Sequence, residues 1–301
     1  MRRVAVLALV VAVVTGCTRA PAPPPRDPRR PAVVVASFDF PESEILAELY
    51  GQALRQRGYP VEAVARLGAR EVVEPALEQG KVDLVPEYLG TALAFIDDGG
   101  LAPSSDPEAT HARLQRAFAT RGVIVAAFAP AEDRNGFVVT GDLARRRGLE
   151  RISDLAPLAG RLTFGGPPEC LDRPLCMTGL RDRYGLQFAR FVAMPSRRVT
   201  ADALETGEID VGMIETTDAS QIGQDLVQLK DDLGLQPAEN VVPVVRRQVV
   251  DRYGPGLVRL LDAVSAQLTT AGLRALNQQV AVEDQPASVV AAGWLRDHPV
   301  S

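Results

Sequence analysis

Histidine, lysine and aromatic residues are scarce in this 301-residue chain, and each shortage excludes something. Only His111 and His298 occur, both in polar helical or terminal contexts, so Ser-His and Cys-His arrangements have almost nothing to draw on. Every basic residue except Lys81 and Lys230 is an arginine, and no run of them approaches a phosphate-binding stripe. With 33 basic against 38 acidic residues the net charge is −5, which points away from nucleic acid. GxxxxGK[ST], GxGxxG after a strand, HExxH and GxSxG are all missing. The expectation is therefore no catalytic residue, no metal and no cofactor. Long hydrophobic runs are missing too: no segment reaches the roughly 18 consecutive apolar residues that a spanning helix needs.

Cysteine occurs three times. The first stands at the end of the N-terminal segment, where Arg2 and Arg3 precede the apolar run "VAVLALVVAVV". This is the layout of an export signal, and it closes in "VTGC" at residues 14–17. Small residues directly before a cysteine resemble the bacterial lipobox, which implies removal of residues 1–16 and a lipid on Cys17. The alternative is an ordinary secretory signal with an incidental cysteine. Residues 18–31, "TRAPAPPPRDPRRP", hold six prolines and favour extended polyproline II. As a tether, residues 17–31 would hold the body roughly 40 Å from a membrane at ~3.1 Å per residue. The other two cysteines, Cys170 and Cys176 in "PPECLDRPLC", read as a disulfide in an exported chain, since a metal or redox site would need further ligands nearby.

From Pro31 onward, β-branched runs alternate with amphipathic segments. Strands are expected at 32–37, within 58–68, and at 82–86, 123–130, 136–140, 162–166, 190–194, 209–216, 226–231 and 240–245. Helices are expected between them, among them one from Pro41 and one capped by Asp106 with Pro107 at its first position, then two or three after Gly254. This alternation predicts an α/β fold with largely parallel sheet.

The stretches "SFDFPESEILAELYGQAL", "LGAREVVEPALEQGKVDLVPEYLGTAL", "DRPLCMTGLRDRYGL", "ALETGEIDVGMIETTD", "DDLGLQPAENVVPVVR" and "LTTAGLRALNQQV" resemble the solute-binding proteins of osmoprotectant (glycine betaine, choline, carnitine) ABC importers. They come in that family's order and reach from about Val33 to the C-terminus. The resemblance implies the type II periplasmic-binding-protein fold, in which two α/β lobes are joined by two crossing strands and close on a ligand. Lobe 1 would comprise 32–133 plus 241–301 and lobe 2 would comprise 134–240. It also implies a monomer that captures a small-molecule ligand and delivers it to a permease with a separate ATPase subunit. The chain would be exported and lipid-anchored to the outer face of the bacterial cell membrane. The rival readings are a ligand-sensing lipoprotein of the same fold, an importer component for a non-betaine cationic ligand, and an enzyme on the two-lobed fold.

By that resemblance the ligand-binding set is Phe40, Ser43, Tyr88, Gly90, Thr91, Asn135, Glu215, Thr216, Thr217 and Glu239. The family grips a quaternary ammonium in an aromatic cage, because a cation without N–H donors binds ring faces and nearby negative charge. Motif alignment puts Tyr88, Asn135, Glu215 and Glu239 at the cage positions, and only the first is aromatic. Phe38, Phe40 or Phe137 could supply the missing rings. Alternatively, Glu215 and Glu239 could accept charge-assisted hydrogen bonds from a cation with N–H donors, or pair with arginines such as Arg70, Arg134, Arg173 or Arg246.

Overall fold

The β-branched runs become the strands of two five-stranded mixed sheets, each covered by helices on both faces. The structure is a computed structural model describing residues 31–96 and 104–300. Cys17, the leader and all of the tether except Pro31 lie outside the described residues. No helix among those described is long and apolar enough to cross a membrane.

The first lobe begins β1 (Val33–Phe38), α1 (Pro41–Gln56), β2 (Val61–Gly68), α2 (Arg70–Glu78), β3 (Leu84–Tyr88), α3 (Leu89–Ile96), α4 (Pro107–Ala119) and β4 (Val123–Val125). Pro41 opens α1 with Glu42 and Glu44 in its first turn, where fixed φ and negative charge both favour helix. Asp106 caps α4 by accepting from Ala109 N–H at 3.1 Å. The second lobe runs β5 (Asn135–Thr140), α5 (Gly141–Arg147), β6 (Thr163–Gly166), α6 (Met177–Tyr184), β7 (Arg190–Ala193), α7 (Arg197–Glu205), β8 (Val211–Glu215) and β9 (Leu226–Leu229). The chain then returns as β10 (Val241–Arg246) and ends in α8 (Arg247–Tyr253), α9 (Gly256–Ser265), α10 (Thr270–Ala281) and α11 (Ala287–Asp297) on the first lobe.

Strand orders are β2-β1-β3-β10-β4 and β7-β6-β8-β5-β9. In each sheet one strand runs against the other four, β10 in the first and β5 in the second. Each is the strand that enters directly from the other lobe, so it arrives from the opposite side and pairs antiparallel. Apolar residues of α1, α9, α10 and α11 fill one face of the first sheet, and those of α2, α3 and α4 fill the other. The second sheet is sandwiched in the same way, with α7 covering one face.

Two segments join the lobes, 126–134 outward and 230–240 back, the second making a turn at Asp232–Leu233 before it extends. They lie antiparallel: Ala129 N–H donates to Val241 O at 2.7 Å, Val241 N–H to Ala131 O at 2.9 Å, and Asp133 N–H to Glu239 O at 3.0 Å. The predicted strand at 123–130 therefore ends its ladder at Val125, and its second half becomes the start of the first crossing.

Candidate ligand-binding site

The cleft between the lobes is floored by these crossings. On the first lobe, β3 runs into α3 without a loop, and its last residue, Tyr88, is buried. The Tyr88 hydroxyl donates to Glu42 Oε1 at 2.7 Å, and Asn277 Nδ2 donates to Glu42 Oε2 at 2.5 Å. Burial pushes the Glu42 carboxyl up, against the lowering effect of these hydrogen bonds. The Tyr88 phenol is also pushed well up, first by burial and then by the Glu42 charge. Phe40, just before α1, is 37% exposed and its ring centroid lies 6.2 Å from that of Tyr88. Phe38 stacks behind Phe40 at 6.0 Å. Phe137 instead packs in the second lobe's core, 6.1 Å from Phe164. Of the rings the sequence offered, Phe40 and Tyr88 face the cleft.

The first turn of α3 is already occupied by a carboxylate of the protein. Thr91 donates its N–H and its hydroxyl to Glu239 Oε2 at 3.1 and 3.3 Å, which places negative charge at a helix N-terminus. Burial pushes the Glu239 carboxyl up to about 7, with Thr91 and the charge of Arg70 opposing. Arg70 forks onto Glu87 with both contacts at 2.8 Å and donates to Thr91 Oγ1 at 3.0 Å. Gly90 serves close packing: a Cβ there would lie 2.9 Å from both Ala238 O and Glu239 Oε1.

On the second lobe, Asn135 opens β5 opposite Glu215 at the end of β8. Asn135 Nδ2 donates to Leu175 O at 3.3 Å and Gln236 Oε1 at 3.2 Å. The partner of Glu215 is Arg197, a two-pronged contact from the first residue of α7. Arg197 stands outside the set of arginines the sequence suggested. Arg70 pairs with Glu87, Arg134 with Glu132 at 3.0 Å and Arg246 with Asp83 at 3.1 Å. Three other candidates hold the frame. Ser43 Oγ is buried and accepts from Phe38 N–H at 2.9 Å. Thr216 Oγ1 donates to Glu132 O at 2.8 Å and its carbonyl accepts from Arg274 Nε at 2.9 Å, tying the second lobe to the crossing and to α10. Thr217 Oγ1 donates to Asp133 Oδ1 at 2.8 Å.

Phe40, Tyr88, Thr91, Asn135, Glu215 and Glu239 come together around a cavity of about 330 Å³, joined by Asp133, Arg70, Arg134 and Leu175. A second cavity of about 1050 Å³ shares Phe40, Asp133 and Glu215 and continues past Glu42, Arg197, Thr217 and Asn277. Asp133 and Glu42 are the acids that sequence reasoning missed as site residues. Burial and then the Glu42 charge push the Asp133 carboxyl well above the usual carboxylate range. The position of Asp133 at the start of the expected crossing was a usable signal. Glu42 gave none, because an acid in a first helical turn reads as a partner of the helix dipole.

Two α/β lobes, paired crossing strands and a polar cleft between them define a two-lobed solute-binding protein. Residues 31–297 match the family described as the substrate binding domain of ABC-type glycine betaine transport systems, and the chain belongs to that family. It is 29% identical over 269 residues to a glycine-betaine-binding protein of Pseudomonas aeruginosa, covering 86% of this chain and 85% of that one. It is 27% identical over 274 residues to the glycine betaine-binding protein YehZ of Escherichia coli, covering 88% and 90%. The ligand-free structure of YehZ superposes with a TM-score of 0.80 over 89% of this chain and 99% of that one. An ergothioneine transport permease/ergothioneine binding protein of Helicobacter pylori is 26% identical over 87% of this chain and 47% of that longer one. The chain is thus the substrate-binding component of an ABC transporter.

Proposed function

We propose that the protein captures a small organic cation between its lobes and delivers it to the permease of an ABC importer, whose ATPase is a separate chain. It works outside the cytoplasm as a monomer held to the outer face of the bacterial membrane through a lipid on Cys17. The observation that carries the ligand class is the gathering of Glu42, Asp133 and Glu239 around the cleft, each held by hydroxyl or amide donors and each pushed up by burial. A positive ligand removes the cost of charging these acids. The faces of Phe40 and Tyr88 give the same cation an aromatic wall. Closure follows if the closed form binds the ligand more tightly than the open one. The ligand-binding set becomes Phe40, Glu42, Tyr88, Asp133, Asn135, Glu215 and Glu239, with Thr91 and Arg197 holding two of the carboxylates.

Mass spectrometry of what co-purifies, followed by calorimetry with glycine betaine, choline and simple amines, tests this reading. Asp133→Asn should weaken cation binding tenfold to a hundredfold, since a charge-assisted contact is worth ~1.5–3 kcal/mol. The ligand-free melting temperature should hardly move. Tight binding of a neutral or anionic solute that ignores Asp133→Asn would overturn the assignment.

A further inference from the structure

We propose that the cleft contains two cation subsites and takes an extended dication with N–H donors at both ends, a linear diamine, in preference to a compact quaternary ammonium. This rests on reading the cleft as the ligand site. The two cavities meet at Phe40, Asp133 and Glu215, so they form two chambers of one cleft. Glu239 lines the smaller chamber, Glu42 lines the larger, and Asp133 lines both. The arginines beside them carry other acids: Arg70 forks onto Glu87, Arg134 pairs with Glu132 and Arg197 with Glu215. Each chamber thus has an acid of its own beside the shared Asp133, and a compact cation that meets the acid of one chamber leaves that of the other unmatched.

The larger chamber also calls for hydrogen, as well as charge. Asn277 lines it, and among the described residues Asn277 Oδ1 is buried with no hydrogen-bond partner. A buried acceptor left open costs free energy until a donor reaches it. An ammonium group carries three N–H donors for Glu42 and, once a small shift of the Asn277 amide uncovers its Oδ1, for that oxygen as well, whereas a quaternary ammonium carries none. Two rings, Phe40 and Tyr88, make a wall rather than a cage, a surface that suits the methylene chain between two charged ends.

The test is calorimetry of the unloaded protein with 1,4-diaminobutane, n-butylamine, choline and glycine betaine. The diamine should bind at least about tenfold tighter than each of the other three. Glu42→Gln should erase the advantage of the diamine over the monoamine, whereas Glu239→Gln should weaken both amines. Should Glu42→Gln fail to fold, the wild-type comparison of diamine with monoamine decides alone. Equal affinity for those two, or tighter binding of glycine betaine or choline, overturns the two-subsite proposal and leaves the importer reading standing. Failure of all four to bind, with a neutral or anionic solute co-purifying, removes the cation reading along with it.

Discussion

Glu74 projects from α2 into the first lobe and is 1% exposed. Its carboxyl lies against that of Glu87, which it can hydrogen-bond only while it carries a proton. Burial, and then repulsion from Glu87, pushes its carboxyl up to about 9, with the Arg70 charge opposing. The group is therefore neutral near pH 7. The native state keeps a proton that an unfolded chain, at the ordinary value of 4.5, has lost. Stability from this group is complete below about 4.5 and declines as pH rises toward about 9. Glu74→Gln keeps the shape and abolishes the titration. Its melting temperature should exceed that of the wild type near pH 9 and approach it near pH 4.5, and a variant that melts lower at the alkaline end would refute this account. At the same scale, the place of Tyr88 was legible through the family resemblance, since the strand expected at 82–86 stops two residues short of it. Which arginine meets Glu215 was not, because Arg197 lies 18 residues away and packing alone decides the pair.

At the scale of elements, Cys170 and Cys176 are joined by a disulfide with Cα atoms 5.3 Å apart, linking a short turn at Pro168–Leu171 to the start of α6. The loop between them packs tightly: a Cβ on Gly179 would lie 2.1 Å from Pro174 O. That loop also carries Leu175, whose carbonyl accepts from Asn135 and Gln236 at the cavity wall. Closing so short a loop stabilises by about 2 kcal/mol. Reduction, or the double change Cys170→Ser and Cys176→Ser, should lower the melting temperature by roughly 4–8 °C and weaken ligand binding a few-fold. An unchanged melting curve under reductant would sink this. Element identity was legible wherever β-branched residues ran together, as in β1 and β10. Strand direction was not: β5 and β10 look like any other strand, and only their entry from the opposite lobe turns them antiparallel. The extent of β4 was hidden for a similar reason. Residues 126–130 remain apolar and extended, yet they follow β10 through single bonds such as Ala126 N–H to Pro243 O at 3.0 Å.

At the scale of the whole molecule, placement at a membrane rests on Cys17. Cys17→Ala should release the protein from membranes or leave its precursor unprocessed, which detergent partitioning of the two forms would reveal; equal retention would refute lipidation there. The strand order carries a further consequence, one for how the protein is made. Among the described residues β4 pairs with β10 alone, and β3 has β1 on its other side. A chain emerging N-terminus first thus presents β1 to β4 and then the whole second lobe before residues 241–246 arrive to enter the first sheet. Until then β3 and β4 expose ladder edges that another chain could pair with. The second sheet needs only strands between Asn135 and Leu229, so it can close earlier. The lobe that begins first is completed last, and its half-built interval is when the chain most needs a chaperone's protection.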